Sequence, residues 1–388
     1  MLVKLKDIVT FINGRAYSQP ELQDKGKYRI VRVGNFSGKN EWFYSDMELN
    51  EDKYCENGDL LYKWACNFGP EIWKSEKTIF HYHIWKIKWD EKRVDKMFLY
   101  YLLMYMTPYW LSSTNGSIMI HITKETMEEK IVDLPPLKTQ KKISKILENL
   151  DKQIEKNLHI VKRLQVMGQA IFNRWFLQFE HFKKDNKFKY NEDLNLKIPE
   201  NWEVKKIAEI CKIFLGGTPS TKNREYWNGE INWLNSGEVA NFPIIDSEKT
   251  INEKGLKNSN TKLLKKGTVV ISITGNIRVS YLAIDSCINQ SIVGIEENEL
   301  LKIGYLYPFL KNKIEFLIRS STGNCQKHIN KNFIENLKIV LPPKNVLDIF
   351  NNLTQNIYAK ISQISLMTKK LIKFKNKLLP LLINQQII

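Results

Sequence analysis

Two histidines spaced two apart, His81 and His83, and an acidic-x-Lys triplet, Glu203-Val204-Lys205, have the types and spacing to do chemistry. So does a set of amide and basic side chains beside glycine turns. The histidines would share one face of a strand, as in part of a metal site. No third histidine and no cysteine and carboxylate set stands near them, which favours an aromatic-rich strand surface. Glu203-Val204-Lys205 has the spacing of many nucleases, but it falls in an opening strand and is a common triplet in a Lys-rich chain. Neither G-x-G-x-x-G nor G-x-x-x-x-G-K-[ST] occurs, so the usual cradles for nucleotides and cofactors are missing. The only Pro-Pro pairs follow leucine, whereas a DNA methyltransferase needs an acidic or Asn residue before that pair. His121 and His328, beside Gly116 and Gly323, suit structural capping or a phosphate contact.

The basic and amide set is more informative, because Arg and Lys reach guanine edges in DNA while Asn and Gln reach adenine. In the first half of the chain it comprises Arg15 and Tyr17 after a glycine turn, Arg32, Asn35, Lys39, Lys63 and Asn67. In the second half it comprises Thr218, the run Ser220-Thr221-Lys222-Asn223-Arg224, Asn235, Ser236, Asn276, Arg278, Gln326 and Lys327. Taken singly, each reads as a solvated surface residue. Clustered on equivalent loops of two modules, they read as groove contacts.

The elements that must position these loops are written twice. Leu134-Pro135-Pro136 recurs as Leu341-Pro342-Pro343, an offset of 207 that also pairs Leu103 with Leu310, His121-Ile122 with His328-Ile329, Ile154 with Ile361 and Leu164 with Leu371. The fronts match loosely, with Asn13-Gly14 opposite Gly216-Gly217. After each Pro-Pro stop, apolar residues recur about every 3.5 positions, a coiled-coil period. One seam runs Leu147, Leu150, Ile154, Leu158, Val161, Leu164, Met167, Ile171, Trp175. The other runs Phe350, Leu353, Ile357, Ile361, Ile364, Met367, Leu371, Phe374, Leu378. Helices of about 40 residues, roughly 60 Å long, would pair as an antiparallel coiled coil with a globular unit at each end. The fold expected is α/β: two mixed α/β domains separated by two long helices, in a pseudo-twofold internal repeat. The domains would span 1–134 and 199–341, the helices 135–180 and 342–388, with a polar linker at 181–198. Short β-branched or aromatic runs such as 79–87 and 268–274 read as strands.

Composition limits the partners. The 388 residues carry a formal charge of +17 and a pI near 9.4, which calls for a polyanion. Five scattered cysteines without a C-x-x-C read as reduced core thiols, with no metal site. The longest apolar stretch, residues 97–111, is too short for a bilayer and is broken at Thr107-Pro108. The opening residues lack signal-peptide character, so a cytoplasmic location is expected.

Ile198-Pro199-Glu200-Asn201-Trp202, then Leu215-Gly216-Gly217-Thr218-Pro219-Ser220 and Tyr226-Trp227-Asn228-Gly229-Glu230-Ile231-Asn232-Trp233, resembles the start of a target recognition domain. The family is the specificity (S) subunits of type I restriction-modification systems. Leu-Pro-Pro before each long helix and the run from Gln169 to Phe176 resemble its spacer regions. The likeness covers the whole chain. It implies a non-catalytic, DNA-binding subunit that binds double-stranded DNA, two modification subunits and restriction subunits. S-adenosylmethionine would then reside in the modification subunits, and ATP and Mg2+ in the restriction subunits. Each recognition domain would read half of a split sequence, with the paired helices as a ruler. The DNA contacts would come from Arg15, Tyr17, Lys63, Asn67, Ser220, Thr221, Lys222, Asn276, Arg278, Gln326 and Lys327. Leu150, Ile154, Leu164, Trp175, Ile357, Ile361 and Leu371 would form the coiled coil and subunit-docking set. The first module departs from the pattern, with Asn13-Gly14-Arg15-Ala16-Tyr17 and Lys63-Trp64-Ala65-Cys66-Asn67-Phe68-Gly69 in place of the glycine-threonine strings. A coiled-coil scaffold with basic lobes that bind nucleic acid non-specifically is the alternative.

Overall fold

The computed structural model describes residues 1–38, 41–112, 123–183, 187–321 and 328–387, and in them the internal repeat becomes a repeat of elements. The first half runs β1 (Leu2–Lys4), β2 (Val9–Asn13), β3 (Tyr28–Val31), β4 (Phe43–Ser45), β5 (Tyr54–Cys55), β6 (Leu60–Lys63), β7 (Gly69–Ile72), β8 (Thr78–Phe80), β9 (Ile84–Trp89), α1 (Lys96–Ser112), α2 (Lys124–Glu128), β10 (Ile131–Asp133) and α3 (Leu137–Phe176). A hairpin follows, β11 (Phe188–Asn191) and β12 (Leu196–Pro199). The second half then runs β13 (Glu203–Lys206), β14 (Ile213–Leu215), β15 (Trp227–Leu234), β16 (Lys249–Ile251), α4 (Glu253–Lys257), β17 (Leu263–Leu264), β18 (Val269–Ser272), β19 (Val279–Tyr281), β20 (Ser286–Ile288), β21 (Ile292–Ile295), α5 (Ile303–Ser320), α6 (Lys331–Glu335), β22 (Lys338–Leu341) and α7 (Lys344–Ile383).

Strand order repeats with this list. Sheet β2-β9-β6-β7 has its counterpart in β14-β21-β18-β19, β4-β3-β8-β5 in β16-β15-β20-β17, and the pair β1-β10 in β13-β22. Each second sheet contains one parallel pair, Ile30 opposite Ile79 in the first half and Trp233 opposite Cys287 in the second. Residues at these positions are buried, the pattern expected of parallel strands covered on both faces.

The chain divides into two units, 1–154 with 371–388, and 155–370, so each 40-residue helix contributes to both. In the first unit Phe98, Leu102, Ile143 and Leu147 share a core with Leu379, Leu382 and Ile383 from the end of α7. In the second, Val161, Phe172 and Phe176 of α3 pack with Tyr305, Leu347, Phe350, Tyr358 and Ile361. Pairing is antiparallel within each unit. In the second, Asn157 donates to Thr368 at 3.0 Å, Gly168 lies against Tyr358, and Phe176 meets Phe350 with ring centroids 4.6 Å apart. In the first, Asp151 forms an ion pair with Lys375.

The seam differs from the apolar register read in the sequence. Ile357 and Ile361 are buried, and Leu150, Ile154, Leu164, Trp175 and Leu371 half-buried. Leu158, Met167, Leu353, Met367 and Phe374 are instead exposed, Leu158 at 57% and Phe374 at 54%. Positions 347, 354, 361, 368, 375 and 382 of α7 are buried or half-buried at a strict heptad step, and three of them are polar: Thr354, Thr368 and Lys375. Their polar groups find partners. Thr354 donates to the Phe350 carbonyl at 2.9 Å, Thr368 accepts from Asn157, and Lys375 meets Asp151, which also accepts from Tyr101 at 2.8 Å. Leu147, Val161, Phe350 and Ile364 of the expected seam are also buried, so hydropathy alone selects part of the buried face and misses its polar members.

Two more expectations change. The polar segment 181–198 contains the β11–β12 hairpin, because Phe182, Phe188, Leu196 and Ile198, spaced among its lysines and asparagines, pack with the second unit's core. Run 79–87 is two strands, and His81 and His83 sit in the connection between them. Of the cysteines, Cys55, Cys211 and Cys287 are buried thiols, but Cys66 is exposed. Cys325, His121, Gly116 and Gly323 lie outside the described residues. Among the described residues no helix is long and apolar enough to cross a membrane.

Candidate nucleic-acid interface

Glycine sets the geometry of the first loop in each half. A Cβ on Gly14 would stand 2.4 Å from the His81 carbonyl oxygen, and one on Gly216 would stand 2.2 Å from that of Asn289. The chain leaving β2 or β14 can cross the end of β8 or β20 this closely only without a side chain. Backbone bonds lock the crossing: Gly14 N–H to Ile84 and Arg15 N–H to Phe80, matched by Gly216 N–H to Ile292 and Gly217 N–H to Ile288, all between 2.9 and 3.2 Å.

The connection below that crossing is a hub. In the first unit it is His81-Tyr82-His83 and in the second Asn289-Gln290-Ser291. Its first N–H donates to the last residue of the neighbouring parallel strand, His81 to Val31 and Asn289 to Leu234, both at 3.0 Å. Its last carbonyl accepts from a hairpin turn earlier in the chain, from Trp64 N–H onto His83 at 3.2 Å and from Ile273 N–H onto Ser291 at 2.9 Å. Four loops are thus tied together at one edge of each unit.

In the first unit a cleft of about 480 Å³ opens there, lined by Arg32, Asn35, Asn67, Cys66, His81 and His83 among others. Structure thus brings together Arg32, Asn35 and Asn67, which sequence had grouped, with the two histidines it had set aside on a strand. Asn67 is exposed and donates to Ser37 Oγ at 3.0 Å. Asn35 is occupied locally, accepting from Arg32 N–H at 2.9 Å and donating to the Glu41 carbonyl at 2.9 Å. Tyr17 packs over His81, with centroids 6.3 Å apart, and beneath the Arg15 guanidinium at 5.0 Å. Arg15 is committed to an ion pair with Glu21, whose carboxyl that contact holds down at about 2. Burial raises the Tyr17 phenol above its usual range. It lowers His81 to about 4, helped by the neighbouring His83 and Arg32, so the imidazole is neutral near pH 7. His83 N–H faces His81 Nδ1 at 3.4 Å, which leaves Nε2 to carry the proton.

Lys63 does not hold the surface position expected of it. It lies in β6, only 6% exposed, paired with Glu71 at 3.0 Å and 5.1 Å from the centroid of the Phe36 ring. Both faces of β6 are covered, so exposure begins only in the turn that holds Asn67. Among the described residues no group of three His, Cys, Asp or Glu could hold a metal ion.

In the second unit, two tryptophans hold the first loop. Trp233 Nε1 donates to the Gly217 carbonyl at 3.0 Å and Trp227 Nε1 to that of Ser220 at 3.2 Å, the rings packed edge-on at 5.1 Å. That gives the Trp-Asn-Gly-Glu-Ile-Asn-Trp string a physical role: it pins the loop so that Ser220, Thr221 and Lys222 stand exposed. Asn223 caps the next turn through Glu225 N–H at 3.1 Å, and Asn235 caps another through Gly237 N–H at 2.8 Å. Asn276 is exposed and Arg278 half-buried on the β18–β19 turn, whose backbone is closed by the Ser272 hydroxyl. Thr274 of that turn meets His328 Nδ1 at 3.3 Å. Lys39, Gln326 and Lys327 lie outside the described residues.

Sequence reading missed the hub itself. Its signal was present in the two glycine crossings, but the short apolar-aromatic run around it looked like one continuous strand.

A model of the type I restriction modification DNA specificity domain matches residues 1–163 and again 199–380. The type I restriction enzyme MjaIX specificity subunit of Methanocaldococcus jannaschii is 27% identical over 293 residues, covering 74% of this chain and 68% of that protein. The EcoBI specificity subunit of Escherichia coli is 23% identical over 413 residues, covering 92% and 84%. A crystal structure of the type I restriction-modification system S subunit from M. genitalium aligns with a TM-score of 0.60 over 98% of this chain and 95% of that one, at 14% identity, a likeness of fold.

Proposed function

The chain belongs to the type I restriction modification DNA specificity family, and from that premise we propose that it is the sequence reader of a restriction-modification complex. Each α/β lobe reads one half of a split DNA target through its hub and the three loops tied to it. The chain supplies no catalytic residue. Modification subunits, two per chain, bring S-adenosylmethionine and methylate adenine; restriction subunits bring ATP, Mg2+ and the cleavage chemistry. Lysine and arginine contacts to phosphate supply salt-sensitive affinity, drawn from a chain of charge +17, while a few loop side chains choose bases.

One observation carries this reading. The same scaffold, bonded in the same way at the hub, presents different side chains in the two lobes: His81, Tyr82, His83 and Asn67 in one, Asn289, Gln290, Ser291 and Asn276 in the other. Two copies of one scaffold with different donors and acceptors at the same edge suit two different half-sites.

The test is an exchange of residues 1–133 for another recognition domain, with methylated adenines mapped in DNA from cells that also hold the modification subunits. One half-site should change and the other persist. A change in both would contradict the division of labour, and methylation without sequence preference would support the scaffold alternative.

A further inference from the structure

We propose that Gln290, the middle residue of the second hub, reads an adenine in the half-site of the second lobe through its side-chain amide. The inference rests on the chain being a DNA reader and adds the residue and the base.

Gln290 stands at the most exposed point of a connection whose backbone is fixed on both sides, by Asn289 N–H to Leu234 and by the Ser291 carbonyl to Ile273. The Asn289 side chain stiffens it further by accepting from Ser291 N–H at 3.0 Å. The Thr218 hydroxyl donates to Gln290 Oε1, and Thr218 is itself placed by the Gly216-Gly217 crossing and by the Trp233 hold on Gly217. That bond holds the oxygen end of the amide against Thr218. It leaves Nε2 with its two hydrogens and Oε1 with one lone pair, a donor and an acceptor side by side. Adenine presents the complement, the N7 acceptor and the N6 donor, in the major groove. Guanine presents two acceptors there and cannot satisfy Oε1. In the first lobe Tyr82 and Ala16 occupy the equivalent places, so this pair cannot form there.

The experiment uses the full chain assembled with its modification subunits and a panel of duplexes in which every base pair of the second half-site is changed in turn. The unaltered complex should discriminate about tenfold or more at one A·T pair through this contact. Gln290→Ala should abolish discrimination at that pair alone and leave the first half-site as it was. Thr218→Val, which frees the amide to rotate, should weaken discrimination at the same pair without removing it. Three results would overturn the assignment: Gln290→Ala with every preference intact, loss of preference at a G·C pair, or uniformly weaker binding to all duplexes. Absence of any sequence preference in the unaltered complex would instead sink the reading of the function, which separates the two failures.

Discussion

His81 is the residue whose environment most changes its chemistry. Burial, His83 and Arg32 bring its folded-state value to about 4, below the ordinary 6.5, so the unfolded chain binds the proton more readily. Its contribution to stability is therefore complete above pH 6.5 and is lost as pH falls from there through about 4. Ring titration followed by NMR should show a midpoint near 4, and His81→Gln should flatten the acid-side decline of the first unit's unfolding temperature across that window. A midpoint at 6.5 would mean that the ring is solvated and the cleft differently built. Lys63 makes a related point. A lysine beside an aromatic-rich turn suggests a phosphate contact, yet β6 is covered on both faces, so Lys63 is buried whichever way it points, and the nearby Glu71 carboxylate offsets its charge.

At the scale of elements, the long helices show how far periodicity carries and where it stops. Their existence, their length and the heptad step were legible in the apolar spacing, and both are 40 residues long. The face they bury was read one position off in several turns, because Asn157, Gly168, Thr354 and Thr368 do not score as apolar. What makes Asn157, Gly168 and Thr368 seam residues is pairing, an amide to a hydroxyl across the interface and a glycine making room for the Tyr358 ring, while Thr354 is covered by Gly304 of α5. Substitutions should follow the structure and not the hydropathy. Leu158→Ala and Met367→Ala should each change stability by no more than about 0.5 kcal/mol. Ile361→Ala, at a fully buried position, should cost about 2–5 kcal/mol. Thermal unfolding of the three variants separates the two registers, and equal losses at all three would restore the sequence-based seam.

For the whole molecule, the consequence is that neither unit is contiguous in sequence. The first needs residues 371–388, whose Leu379, Leu382 and Ile383 complete its core, although 216 residues of the other unit intervene. Removing residues 371–388 should therefore loosen the first unit, at the far end of the chain from the deletion, and leave the second largely protected. Hydrogen exchange would show this as faster exchange in β1, α1 and β10 with little change in β18, β21 and α5. Faster exchange confined to residues next to the cut would show that the end of α7 is dispensable to that core.

The repeat, the two mixed α/β halves, the helix pair and the family were determined by sequence alone, because each rests on local period or on a string of residues that recurs at a fixed offset. The hub, the buried Lys63, the polar seam and the discontinuous units were decided by tertiary structure. Each depends on which groups face one another across distant segments: a carbonyl 2.2 Å from where a Cβ would be, an amide 3.0 Å from a hydroxyl 211 residues away. No window along the chain contains both partners of such a contact, and a polar side chain looks solvated until the group that satisfies it is found.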